Sequence, residues 1–161
     1  MIQAFSDWLA ATSLSRLFAD IGWFVPTVQT IHILAIAAVV TLLSMLNFRL
    51  LRITRSGPSL HNLAAGYVPW VWRSLVILLV SGILLTITEP SRELMNNAFR
   101  LKMLLVLVLT VLTVILRSTL RHDPEYWAST PQRRLLGGTI AAVSLILCVS
   151  IVAAGRLIAY V

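Results

Sequence analysis

The sequence predicts an all-α protein, an integral membrane four-helix bundle preceded by an amphipathic N-terminal helix that lies in the membrane interface. Of the 161 residues, 58% are hydrophobic and only 12% are charged, whereas soluble domains carry about 25% charged residues. The mean hydropathy is +0.90. Apolar runs near the bilayer-spanning length of about 20 residues recur along the chain. These observations disfavour an ordinary soluble enzyme, and we expect one membrane domain over residues 1–161.

Residues 2–22 are predicted to form the interfacial segment. Trp8 and Leu17 alternate with Asp7 and Arg16 over short helical stretches, which is typical of a helix lying at the membrane surface. No positively charged region precedes them, so we do not expect a cleaved signal peptide. Ser13 is predicted to cap the second half of this segment.

Four membrane spans follow, and Pro residues mark several of their limits. Pro26 suits the first turn of the first span, Glu89-Pro90 stops the second, and Thr130-Pro131 opens the fourth. Aromatic residues at the span ends suit the membrane interfaces. The predicted spans are about 27–47, 70–88, 99–119 and 132–158.

The basic residues predict the orientation of the spans. The side of the membrane with the loops joining spans one to two and three to four is assigned eight Arg, from the loops and the adjoining span ends, against two acidic residues. The other side holds five basic against four acidic residues. The positive-inside rule then places both termini on the outer, periplasmic side of a bacterial inner membrane. Because the cations flank apolar runs, the lipid bilayer is the expected partner and nucleic acid is excluded. The eight are Arg49, Arg52, Arg55, Arg73, Arg117, Arg121, Arg133 and Arg134.

Small and hydroxylic residues recur at helical spacing in the spans and predict the faces on which the helices pack. His32 shares one side of span one with Gln29, and small residues lie nearly opposite. The predicted packing positions are Ala37, Thr41 and Ser44 in span one, Ser74, Ser81, Gly82 and Thr88 in span two, Thr110 and Thr113 in span three, and Ala141, Ser144 and Cys148 in span four.

Four ionisable residues, one from each span, converge at the outer ends of the predicted bundle: His32, Glu89, Lys102 and Arg156. Ionisable groups within a membrane are costly and mark functional sites. A salt bridge or a snorkelling side chain also explains the last three. His32 is the deepest, and two interpretations stay open for it: a neutral histidine bonded to a neighbouring helix, or a ligand.

A b-type haem in a helix bundle needs an axial ligand that projects inward from a span, and His32 meets this requirement. No second His lies at matching depth, so Lys102 or Met103 is the candidate sixth ligand, unless that position stays open. Lys102 and Arg156 suit the propionates. Gln29 and Glu89 complete the predicted pocket.

Other metal and catalytic motifs are weaker. His61 and His122 lie outside the apolar spans, which makes them a poor second pair. The single Cys148 excludes an intrachain disulfide and a Cys-based metal site. The sequence holds no HExxH motif and no phosphate-binding glycine loop.

Several motifs together resemble a family of small bacterial four-span membrane proteins of unknown function. This chain departs from the family pattern at Asn47, where the family has an acidic residue. The resemblance covers nearly the whole chain and implies the four-span fold. It rests on Trp23-x2-Pro26-x2-Gln29-x2-His32, Phe48-Arg49, Pro69-Trp70, the stretch from Asn97 to Lys102, and Gly155-Arg156.

The placement of His32, Arg49 and Lys102 is similar to that in bacterial membrane haem proteins. These include the haem-containing membrane-bound protoporphyrinogen oxidase and membrane proteins of the copper-resistance D type. The similarity implies that His32 is the axial haem ligand and that Lys102 is the basic residue of span three.

The sequence leaves three classes of function open. The first is a haem-binding redox or electron-transfer protein. The second is a non-catalytic accessory subunit of a larger membrane complex, or a homo-oligomer. The third, a small transporter or channel subunit, is disfavoured because no carboxylate lies at mid-membrane and no span is broken there. Whether the protein is an enzyme, for instance on a lipid or quinone, is left open.

Overall fold

The computed structural model describes residues 2–51, 53, 59–123, 126–127 and 129–157, and its regular elements are α-helices. Two short helices precede the first long one, and a third short helix lies between the second and third long ones. The helices are α1 (Ile2–Ala10), α2 (Ser13–Asp20), α3 (Phe24–Leu50), α4 (Leu60–Thr88), α5 (Pro90–Leu94), α6 (Asn97–His122) and α7 (Pro131–Leu157).

Helices α3, α4, α6 and α7 are each long and apolar enough to cross a membrane, with mean hydropathy between 2.0 and 2.5 in their most apolar stretches. Large aliphatic side chains such as Leu34, Leu79 and Leu104 lie exposed on their outer surfaces. Such a surface is stable in lipid and unstable in water. The predicted all-α membrane bundle is confirmed.

The four long helices surround a common core in the cyclic order α3, α4, α6, α7. Helix α3 packs closely along α4 and also against α7; α6 packs closely along α7 and only lightly against α4. Helices α3 and α6 are therefore diagonal. We call the end of the bundle near Phe24, Thr88 and Asn97 the terminal end, and the end near Leu50, Leu60 and His122 the far end.

The core contains the small and hydroxylic residues that the helical spacing predicts. Ser74, Ser81 and Thr88 are buried at seven-residue intervals on α4, and Ala141 and Cys148 are buried on α7. These side chains let the helix backbones approach closely, which is how membrane helices pack. The predicted inward faces of α4 and α7 are confirmed at these positions.

The predicted face of span one is confirmed only in part. Ser44 is half-buried, but Ala37 and Thr41 are exposed on the surface of α3. The core side of α3 is instead lined by Ala35, Val39 and larger aliphatic residues. The sequence pattern failed here because apolar residues surround the whole helix, so periodicity does not single out one side.

Helix α4 begins ten residues before the predicted start of span two. Ser59 caps it, since its Oγ accepts a hydrogen bond from the backbone N–H of Asn62 at 3.2 Å. Pro69 lies inside the helix, where membrane helices tolerate it. Arg73, predicted to lie near the inner end of span two, is consequently an exposed residue near the middle of α4.

Helices α1 and α2 lie against the terminal end, where α1 packs on α5 and α2 packs on α4 and α3. Phe5, Trp8 and Leu17 are each more than half exposed, as expected for interfacial helices. The cap of α2 is Thr12 and not Ser13, because the Thr12 Oγ1 accepts the Ser15 N–H at 3.3 Å.

Trp127 closes the far end of the bundle. Its ring is buried, and its indole N–H donates to Oγ1 of Thr119 on α6 at 3.1 Å. The ring also lies so close to Gly137 of α7 that a Cβ there would be 3.1 Å from the Trp127 Cε3 atom. This side chain therefore links α6 to α7 at the far end of the apolar core, of which it is a part.

Candidate cofactor site at His32

His32 of α3 is joined to Ser81 of α4 by a hydrogen bond of 2.7 Å between Nδ1 and Oγ. Ser81 Oγ also lies 2.6 Å from the carbonyl oxygen of Ile77, one turn earlier in its own helix. The carbonyl can only accept, so the single hydroxyl proton of Ser81 is donated to it. Ser81 must therefore accept the second bond, with His32 Nδ1–H as its donor.

This arrangement determines the tautomer of the neutral imidazole. With the proton on Nδ1, the lone pair is on Nε2, and none of the hydrogen bonds between described residues engages Nε2. Metal-binding histidines typically have their other ring nitrogen, here Nδ1, anchored by a hydrogen bond, because the anchor sets the tautomer and the ring orientation.

Gly82 lies beside the other edge of the imidazole. A Cβ built on Gly82 would lie 3.5 Å from Cε1 of His32, which is ordinary van der Waals contact. The glycine therefore leaves room for a methyl group beside the ring. Ser81 holds the imidazole by a hydrogen bond, and Gly82 leaves it space against α4.

Lys102 brings a positive charge to this site from the diagonal helix α6. It is half-buried and lies close enough to His32 for an electrostatic interaction, and it also interacts with Glu93 of α5. Of the four ionisable residues predicted to converge, His32 and Lys102 thus lie within electrostatic range of each other. Glu93 was not predicted to belong to this cluster.

The remaining predicted site residues lie nearer the surface. Gln29, Glu89 and Arg156 are exposed. Met103 is 45% exposed. Because consecutive residues of a helix point about 100° apart, Met103 does not share the direction of Lys102. The structure thus brings together His32, Ser81 and Lys102 and leaves Met103 on the outer surface.

An apolar cavity of about 40 Å³ lies one helical turn deeper than this cluster. Its lining includes Ile36, Leu78 and Val106. Each of them lies one helical turn from a residue of the cluster: Ile36 from His32, Leu78 from Ser81, and Val106 from Lys102. Ligand pockets occupy about 300–1,000 Å³, so the cavity is too small for a porphyrin. A porphyrin ring would need space between helices, and α4 and α6 are the neighbouring pair that pack least closely.

His61 and His122 lie at the far end of the bundle, away from His32. Nδ1 of His61 lies 3.3 Å from the carbonyl oxygen of Leu120, which ties the start of α4 to the end of α6. His122 is exposed. Among the residues that the structure describes, no three His, Cys, Asp or Glu side chains group together as a metal site.

The role of Ser81 was not predicted, although its inward position was. Spacing within one helix gives the direction of a side chain, but it does not give the relative height of two helices. The packing of α3 against α4 sets that height, and it places His32 beside Ser81 and not beside Ser74.

The four long apolar helices define the chain as a small integral membrane protein of multi-pass type. In comparisons with protein-family models, curated proteins and solved structures, nothing matches this chain.

Proposed function

We propose that this protein binds a b-type haem through His32 and acts in electron transfer in the membrane. One observation carries the proposal: the Nδ1–H of His32 is held by Ser81 at 2.7 Å, which leaves the Nε2 lone pair for a metal. The placement of His32 and Lys102, which is similar to that in bacterial membrane haem proteins, supports the same function.

Each residue of the site has a role in this proposal. His32 Nε2 would bind the haem iron, with Ser81 orienting its ring and Gly82 leaving space beside it. Lys102 and Arg156 provide cations for the two propionates, with Gln29 and Glu89 at the rim. Haem bound there supplies one-electron redox chemistry. Met103 is on the outer surface, so Lys102 is the remaining candidate for a second iron ligand. A Lys102 that bound iron would be neutral, and Arg156 alone would then provide a cation for the propionates.

An imidazole nitrogen with cationic side chains nearby is suited to haem. The cavity of about 40 Å³ is too small for a porphyrin, so haem binding would require helices to move apart. The light packing of α4 against α6 is where we expect the bundle to open. The close packing of α3 on α4, which includes the His32–Ser81 hydrogen bond, is expected to persist when the cofactor is bound.

The test is the haem content of purified protein from haem-replete cells, measured as pyridine haemochrome per chain. We expect near-stoichiometric haem in the wild type and loss of most of it in His32→Ala. His61→Ala is the matched control, because His61 bonds only a carbonyl at the far end. Full haem content in a folded His32→Ala variant would contradict the proposal.

A second candidate function, that of an accessory subunit in a larger membrane complex, is favoured by the exposed Ala37 and Thr41 on α3. Small residues on a lipid-facing surface allow another helix to pack closely. In this case, Ala37→Trp reduces the size of the particle extracted from native membranes in mild detergent. Val143→Trp, at an exposed position on α7, leaves it unchanged. The same particle size for the wild type, Ala37→Trp and Val143→Trp would oppose this function.

A further inference from the structure

Arg73 is an exposed cation at membrane depth. At 1.5 Å per residue it lies about 20 Å from the first residue of α4 and about 22 Å from the last. The hydrocarbon core of a bilayer is about 30 Å thick, so a residue in this position lies within it. Charged side chains at such depth normally face the bundle interior. Arg73 faces outward.

The guanidinium of Arg73 extends toward the far end. Its Cζ lies 4.7 Å from the ring centroid of Trp70, one turn earlier in α4. Helical side chains tilt toward the N-terminus of their helix, which for α4 is the far end. Arg73 thus snorkels toward the nearer leaflet and is supported by a cation–π contact.

The described residues offer Arg73 no acidic partner at its own depth. The acidic residues that the structure describes lie at the bundle ends, with Asp7, Asp20, Glu89 and Glu93 at the terminal end and Asp123 after α6. The charge must therefore be balanced from outside the described part of the chain. A phosphate of the far-end leaflet lies in the direction of the guanidinium and is a strong bidentate partner for it.

The same face of α4 leaves room for a lipid headgroup. Gly66, Pro69, Trp70 and Arg73 fall on one side at helical spacing, and all four are exposed. A Cβ at Gly66 would meet nothing within 4 Å. Pro69 has no N–H to donate to the Ala65 carbonyl, which leaves an acceptor for a headgroup hydroxyl. We call these four residues the Arg73 face.

We propose that the Arg73 face binds an anionic phospholipid of the far-end leaflet, with the lipid phosphate on the Arg73 guanidinium and the headgroup beside Trp70 and Gly66. This site is independent of His32. A lipid is favoured over a partner helix because the guanidinium extends along α4 toward the headgroups. Beyond Arg73, toward the terminal end, the exposed residues Val76, Ile77 and Val80 are bulky and suit acyl chains.

The test compares spin-labelled phosphatidylglycerol with spin-labelled phosphatidylcholine bound to the full chain in phosphatidylcholine vesicles. We expect the wild type to select phosphatidylglycerol. Arg73→Gln should lower this selectivity about fivefold, as expected for one basic residue near a membrane surface. Arg73→Lys should retain part of it. Arg117→Gln, at an exposed Arg near the end of α6, is the matched control and should lose less selectivity.

Equal affinity of the wild type for the two lipids would overturn the proposal. So would unchanged selectivity in Arg73→Gln, or an equal loss in Arg117→Gln. Unchanged lipid binding together with dissociation of an oligomer in Arg73→Gln would assign the Arg73 face to a protein partner instead. Arg73→Lys keeps the charge, so it separates a loss of binding from a loss of folding. Haem content is expected to be unaffected in all of these variants.

Discussion

The Nδ1 atom of His32 lies 2.7 Å from Oγ of Ser81, and this hydrogen bond connects α3 to α4 inside the membrane-spanning bundle. Ser81 has already donated its proton to Ile77, so the serine determines which nitrogen of His32 carries the proton. A buried hydroxyl of this kind gives the imidazole one orientation. It also satisfies a polar group that would otherwise be unpaired in an apolar environment.

Ser81→Ala is expected to lower the free energy of unfolding by about 1 kcal/mol, because it leaves the Nδ1–H of His32 without an acceptor. The measurement is unfolding of the detergent-solubilised protein by increasing SDS, followed by circular dichroism. Ser74→Ala is the matched control, since Ser74 is buried one heptad earlier on the same face. An equal loss in the two variants would argue against the contribution of the His32 bond.

The contact between Gly82 and His32 predicts a dependence on side-chain size. Gly82→Ala places a Cβ 3.5 Å from Cε1 of His32, which is ordinary contact, so we expect near-normal stability and haem content. Gly82→Val adds branches that displace the ring, and this overpacking should cost about 1–3 kcal/mol. Haem content and resistance to SDS unfolding should therefore both fall in Gly82→Val and stay near the wild-type values in Gly82→Ala. Equal behaviour of the two variants would show that the ring can move freely.

Adjacent glycines on α7 provide a sharper comparison. A Cβ on Gly137 would lie 3.1 Å from Trp127 Cε3 and 3.3 Å from Leu50 Cδ1, whereas a Cβ on Gly138 would approach Leu51 Cδ2 only to 3.9 Å. Gly137→Ala should thus be destabilising because Trp127 must move. Gly138→Ala should be neutral or stabilising by up to about 1 kcal/mol through helix propensity. The order of the two SDS unfolding midpoints is the readout, and the reverse order contradicts the packing at the far end.

The accessibility of the Cys148 thiol reports unfolding, because Cys148 is the single cysteine and is only 2% exposed. A maleimide reagent should label it slowly in the folded protein and rapidly after unfolding in SDS. In Leu109→Ala, which removes bulk beside the cavity, labelling should accelerate as the core loosens. Leu104→Ala, on the exposed face of α6, is the control. Rapid labelling of the folded wild type would contradict the buried position of Cys148.

The sequence is sufficient for the fold class and for the end of the bundle at which His32 and Lys102 lie. Long apolar runs specify membrane helices almost by length alone, and their order of crossing decides which ends meet. Ser59 is a predictable cap for a helix that begins at Leu60, but its continuity with span two was not predicted, because Pro69 interrupts the apolar pattern while the helix continues through it. As a result, Arg73 could not be placed at membrane depth.

The contacts that the site residues make could not be predicted from the sequence either. Lys102 and Met103 are neighbours in the chain, and only the rotation of α6 within the bundle makes Lys102 half-buried and within electrostatic range of His32 while Met103 lies on the surface. Ser81 was predicted to point inward, but its pairing with His32 depends on the vertical register of α3 against α4. Tertiary packing fixes that register, and helical periodicity carries no information about it.

The most direct test of the haem-binding proposal is the reduced-minus-oxidised absorption spectrum of the purified protein, recorded with dithionite in mild detergent after expression in haem-replete cells. We predict a Soret band and the α and β bands of a b-type haem in the wild type, and their loss in a folded His32→Ala variant. A flat visible spectrum in the wild type, with the helical bundle intact, would contradict the proposal. His32 would then be a residue that joins α3 to α4 through Ser81.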